Sequence, residues 1–194
     1  MPLLLVAVLW AACVPHLTSP PDTAPEDSAW VPPDNRWPSG VPPADLEAEG
    51  TGDGQVPPDF RMVDQFGDTV ALWQFWGLVT VLDISTMWCA PCQDLAGDVE
   101  ATWQAYRSQG FVYVTVLAQD QGGVPPSVVG LTKWAEYYGI TAPVLSDGEG
   151  WSVPITGTDG FPRVMVIDRT MRIVEDEVIP AQDSAIRTIV EGLL

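Results

Sequence analysis

Beyond residue 58 the apolar positions fall into solid runs and helical stripes. Leu78 to Ile84 is almost wholly apolar and β-branched, the pattern of a strand buried on both faces. Val70-Ala71-Leu72-Trp73 predicts a short strand after the Gly67-Asp68 turn, and Phe111 to Leu117 predicts the next long one. Between the long strands Leu95, Val99, Trp103 and Tyr106 recur at helical spacing, and Gly110 supplies the stop. Ser127 to Tyr138 reads as a second helix closed by Gly139, and Val144-Leu145-Ser146 as a brief extended piece. Val164 to Ile167 and Arg172 to Val174 read as paired strands with a turn at 168–171. Ser184 to Leu193 carries Ile186, Ile189, Val190 and Leu193 on one side, a closing helix. Strands alternating with helices predict an α/β fold, a sheet with helices on both faces.

The first 58 residues follow no such period. Residues 3–12 are uninterruptedly apolar, too short to span a bilayer, which takes about 20 residues as a helix. Small Ala11 and Ala12 precede Cys13, the pattern of a secretion signal. Leu9-Trp10-Ala11-Ala12-Cys13 resembles a bacterial lipoprotein signal, which implies cleavage before Cys13, acylation of that cysteine and a lipid anchor. From residue 14 to 58 prolines recur with acids between them, a composition expected to stay extended. The expected organisation is a signal peptide over 1–12, a Pro-rich acidic disordered tether over 13–57, and a folded domain over 58–194. Trp30 and Trp37 read as incidental aromatics in that tether.

Charge narrows the partners. With 8 Lys+Arg against 26 Asp+Glu the formal net charge is −18, which argues against nucleic acid and anionic lipid headgroups as ligands. The three cysteines are Cys13, Cys89 and Cys92; removing Cys13 by acylation leaves an even pair.

That pair carries the chemistry. Trp88-Cys89-Ala90-Pro91-Cys92 follows a strand and opens a helix, so Cys89 falls at a helix N-terminus, where free N–H groups and the helix dipole favour a thiolate. Cys92, one turn on, is placed to close a short disulfide, and such a pair exchanges two electrons with another protein's thiols or disulfide. A structural zinc half-site and a static disulfide are the alternatives, but zinc wants a second Cys/His pair and only Cys13 and His16 remain. Asp83, inside an apolar strand, faces desolvation that raises a carboxyl pKa and suits it to take and return a proton from a nearby thiol. Asp94, Asp98 and Glu100 follow the cysteines and oppose thiolate formation at Cys89.

The order strand, Trp-Cys-x-x-Cys, helix, strand, helix, proline-led hairpin and final helix resembles the thioredoxin fold, a central mixed sheet flanked by helices. More narrowly, Pro58-Asp59-Phe60, the 137–147 segment from Tyr137 to Asp147, and Gly160-Phe161-Pro162-Arg163 resemble the TlpA/ResA-like extracytoplasmic thiol–disulfide oxidoreductases. The resemblance implies Cys89 as exposed nucleophile, Cys92 as resolving thiol, a cis peptide before Pro162, and Asp83 at the position of thioredoxin's buried carboxylate. It implies a substrate surface of Trp88, Ala90, Pro91, Phe161 and Pro162. The lysine that usually accompanies the acid has no evident counterpart; the one lysine is Lys133. Met171 stands where the hairpin often has Gly, and Arg163 is expected to line the substrate groove beside Phe161.

These readings together describe an enzyme, a thiol–disulfide oxidoreductase of the bacterial cell envelope, lipid-anchored and facing the periplasm or cell exterior. It is expected to be a monomer that reduces protein disulfides through a mixed disulfide, fed by a membrane electron donor. No nucleotide, flavin or metal motif is present, so the dithiol itself serves as cofactor. Two other classes remain: an anchored binding module with a static disulfide, and a peroxiredoxin-like thiol peroxidase. The second is suggested by Thr86 three residues before Cys89, although that family wants Pro where Leu82 stands.

Overall fold

The computed structural model describes residues 30–156 and 160–194. The signal segment, Cys13 and the tether up to residue 29 lie outside the described residues. Seven strands form one mixed sheet: β1 (Arg61–Asp64), β2 (Thr69–Ala71), β3 (Val79–Thr86), β4 (Phe111–Gln119), β5 (Val144–Ser146), β6 (Arg163–Ile167) and β7 (Ile173–Glu175), in the order β2-β1-β5-β4-β3-β6-β7. β3, β4 and β5 run parallel, while β1, β2, β6 and β7 each pair antiparallel with their neighbours. β3 lies inside the sheet and every one of its residues is buried, which is why its sequence lacks the alternation of a one-sided strand.

Four helices are present among the described residues: α1 (Ala90–Tyr106), α2 (Val128–Tyr138) and α4 (Asp183–Glu191), which follow the predicted stripes, and the single turn α3 (Val153–Thr156). Two crossovers in the same direction, β3-α1-β4 and β4-α2-β5, place α1 and α2 on one face of the sheet. α1 touches both α2 and α4 there. Ser127 caps α2 by accepting the Gly130 N–H, and Gly139, at a φ of 69°, ends it. The Val70–Trp73 strand is half right: after Ala71 the chain turns into a 3-10 helix over Leu72–Phe75, which buries Leu72 and Phe75. β1 and α3 were not foreseen.

The stretch from 30 to 57 does not stand off as a disordered tether. Trp30 donates its indole N–H to Asp59, and Trp37 donates to Asp64 at 2.7 Å. Asn35 donates to the Thr69 carbonyl on the outer side of β2, and the Gly40 N–H donates to the Gln74 carbonyl. Gly40 comes so close to the Trp76 carbonyl that a Cβ would sit 2.2 Å from that oxygen, so only glycine fits. Farther on, Gly54 donates to Ile173 and Ile173 donates to Gln55, so this stretch also pairs with β7. Val56 is buried in the core, with Trp37 and Leu46 packed against it. The two tryptophans are therefore hooks, not incidental aromatics.

Met171 is the one non-glycine among the described residues with positive φ, at 60°, and its side chain is fully buried. The left-handed backbone costs about 1–2 kcal/mol, while deleting a buried Met costs about 2–5 kcal/mol. Met171→Gly is therefore expected to destabilise the protein by about 1–3 kcal/mol in urea unfolding, despite the easier turn.

Candidate active site

The site forms where β3 runs into α1. Cys89 is the N-cap residue of α1, with extended backbone, and Pro91 sits in the first turn, where a missing N–H costs nothing. Cys89 and Cys92 are joined in a disulfide. The Cys92 backbone N–H donates to Cys89 Sγ at 3.3 Å, the contact that would steady a thiolate there after reduction. Cys89 is 6% exposed and Cys92 not at all, so a partner reaches only the first sulfur.

The Phe161-Pro162 peptide is cis, as the resemblance implies. It brings the Phe161 carbonyl oxygen to 3.4 Å from Cys89 Sγ, within reach of a thiol proton once the disulfide opens. Trp88, half exposed, lies edge-on to Phe161 with ring centroids 6.1 Å apart, and its N–H donates to Gln119. Ala90 and Pro91 are exposed beside it. The surface predicted for substrate, Trp88, Ala90, Pro91, Phe161 and Pro162, thus surrounds the one accessible sulfur. Arg163 does not join it. Its guanidinium is held by Asp176 and Glu177, and its Nε donates to the Asp176 carbonyl.

Asp83 lies at the centre of β3, 1% exposed. Burial pushes its carboxyl pKa up to about 7, against the hydrogen bond that Ser85 donates to Oδ1 at 2.5 Å. Its other oxygen has no hydrogen-bond partner. The residue opposite it on β4 is Thr115, and Lys133 is exposed on α2. Strand register makes that placement, and sequence alone does not disclose it. Asp94 and Asp98 are exposed on α1, and Glu100 instead accepts from the Thr141 N–H. Thr86 is buried and its hydroxyl has no hydrogen-bond partner, so it does not engage Cys89.

A profile of the AhpC/TSA family matches residues 54–175, well over half of the chain. The chain belongs to the AhpC/TSA family. Within reach of that family assignment, it is 27% identical over 120 residues to the thiol-disulfide oxidoreductase ResA of Geobacillus thermodenitrificans, covering 62% of this chain and 66% of that protein. The chain thus spans just under two thirds of that relative's length. Among solved structures it is similar to the thioredoxin domain of a thiol-disulfide oxidoreductase from Bacteroides vulgatus, with a TM-score of 0.61 and 19% identity over 75% of this chain and all of that one. It is also similar to the exposed lipoprotein thioredoxin Etrx1 of Streptococcus pneumoniae, with a TM-score of 0.55 and 22% identity over 70% of this chain and all of that one. The AhpC/TSA member described here therefore has a thioredoxin-like fold. No helix among its described residues is long and apolar enough to cross a membrane.

Proposed function

We propose that this AhpC/TSA family member is a thiol–disulfide oxidoreductase that reduces disulfides of other proteins. The observation that carries the reading is the Cys89–Cys92 pair at the start of α1, with one sulfur accessible beside a cis-proline and the other buried. In the reduced protein Cys89 thiolate attacks one sulfur of a partner disulfide, forming a mixed disulfide and releasing a partner thiolate. Cys92 gives its proton to Asp83 and attacks Cys89 Sγ. The second partner sulfur leaves as a thiolate that takes its proton from solvent, the Cys89–Cys92 disulfide closes, and two electrons have passed to the partner. Exposed Trp88 and half-buried Phe161 supply apolar contact, and backbone beside Pro162 supplies hydrogen bonds to an extended partner chain.

The reading includes an address. The apolar segment over 3–12 and Cys13 support export and lipid anchoring, with the domain over 58–194 facing the periplasm or exterior and a membrane protein as electron donor. The word lipoprotein in the name of the similar Streptococcus pneumoniae protein agrees with this address. A peroxidase reading gains nothing from Thr86, whose hydroxyl bonds nothing.

The reduction potential of the pair tests the reading. The full chain is equilibrated in graded thiol buffers, trapped by alkylation, and the peptides carrying Cys89 and Cys92 are counted by mass. The expected value lies near about −270 mV, that of a reductase. A value near about −120 mV would make the protein a disulfide donor. A pair that never exchanges would leave the anchored binding module.

A further inference from the structure

The layer between β3, β4, α1 and α4 holds more polar atoms than thiol exchange itself requires. Asp83 Oδ2, Thr115 Oγ1 and the Tyr113 hydroxyl are all buried without a hydrogen-bond partner. Register places Asp83 opposite Thr115 and Val81 opposite Tyr113, so all three side chains point to the same face of the sheet. Native interiors seldom leave such groups unpaired unless ordered water bonds them, and a water needs two to four polar partners to be held.

Between α1 and the start of α4 lies a cleft of about 470 Å³ lined by Pro91, Asp94, Leu95, Asp98, Gln182 and Asp183. The Tyr113 hydroxyl feels the charge of Asp83, and also of Asp183 and Asp98 in the cleft wall. It is thus within electrostatic reach of both the buried acid and the acids of the cleft wall. Burial, with those three carboxylates, holds the phenol proton on far above neutral pH, so Tyr113 is a fixed donor and not a titrating group.

We propose that Tyr113 is a positioning residue that, with Thr115, holds water between Asp83 and the acidic cleft of α1 and α4, the route by which the Asp83 proton reaches solvent. The proposal rests on the reading of Asp83 as the group that takes the Cys92 proton. That proton passes from Cys92 Sγ to Asp83 as the Cys89–Cys92 bond closes, then to the held water and out. No electrons move along this route. The groups that face it are Ser85 on β3, Thr115 and Tyr113 on β4, Cys92 and Asp98 on α1, and Asp183 on α4. Asp183 is itself bound by Arg187 and Thr102, and β6 presents uncharged Val164 opposite Asp83.

The donor hydroxyl steadies the ionised carboxylate through the water, so its loss should make Asp83 harder to ionise. In the reduced full chain, with aspartate carboxyls labelled with carbon-13, Tyr113→Phe is expected to move the Asp83 midpoint upward by about one pH unit. The pH dependence of disulfide closure should move with it, while alkylation of Cys89 keeps its rate. Thr115→Val should move the midpoint in the same direction by less, and it decides the matter if Tyr113→Phe folds poorly by circular dichroism. A midpoint unchanged or lowered in the folded variant overturns the proposal and leaves Tyr113 as packing. Asp83→Asn separates the two readings: closure with an unaltered pH profile in that variant removes Asp83 as proton acceptor, wherever the midpoint lies in Tyr113→Phe.

Discussion

Cys92→Ser is expected to halt the reaction at its midpoint, with a partner protein held covalently on Cys89. Cys92 is completely buried in the first turn of the helix that Cys89 caps, so it is out of a partner's reach and in the proposed reaction its task is to release one. With Ser at that position the nucleophile still attacks, yet nothing resolves the product. Incubating the reduced variant with a disulfide-bonded protein such as insulin should give a mixed-disulfide band that dithiothreitol removes. Cys89→Ser should give no such band and lower turnover by roughly 10³-fold or more, the scale seen when a covalent nucleophile is deleted. If Cys92→Ser forms no adduct and Cys89→Ser retains partner binding, the disulfide is static and the enzyme reading is lost.

Asp83→Asn should make the protein sturdier and slower at once. The native carboxyl ionises near pH 7 because burial opposes its charge, while the unfolded one ionises near its ordinary 3.8. Between those values the folded state holds a proton that the unfolded state has released, so wild-type stability falls as pH rises through the window. Above about 7 the penalty is complete, and three units correspond to an upper bound of about 4 kcal/mol. Urea unfolding should show no gap between variant and wild type at pH 3.5, a gap that opens from about pH 4, and a plateau of about 2–4 kcal/mol above pH 7. The same change removes the acceptor for the Cys92 proton, and closure of the Cys89–Cys92 disulfide should slow by roughly a hundredfold. Greater stability with unchanged closure would make the carboxyl structural.

Periodicity made the long elements readable. β3, β4, α1, α2 and α4 each repeat a burial pattern over many residues, and the cysteine pair sits at the strand-to-helix junction where its spacing predicts it. The surface around Cys89 was readable from its residues, apart from Arg163, which two acids of the following loop hold elsewhere. What stayed hidden depends on single contacts. The 30–57 stretch is fastened by Trp30, Asn35, Trp37 and Val56 at irregular spacing, so its composition describes an extended chain and not the acids that receive its indoles. Thr115 and Tyr113 look like ordinary strand residues until register sets them on the face of a buried aspartate. Met171 defied the expectation of glycine because its side chain fills the core beneath the turn.

The course of residues 30–57 has a consequence for the outer strands. An open sheet ends in two rows of backbone groups that invite another chain to pair. Here the chain's own proline-rich stretch occupies parts of both rows, meeting Thr69 on β2 and Ile173 on β7. Proline lacks the donor that such pairing needs, and the acids in the stretch repel another copy. The segment thus covers backbone by which two copies would pair edge to edge, and it leaves free the backbone beside Pro162 proposed for partner binding, next to the accessible sulfur.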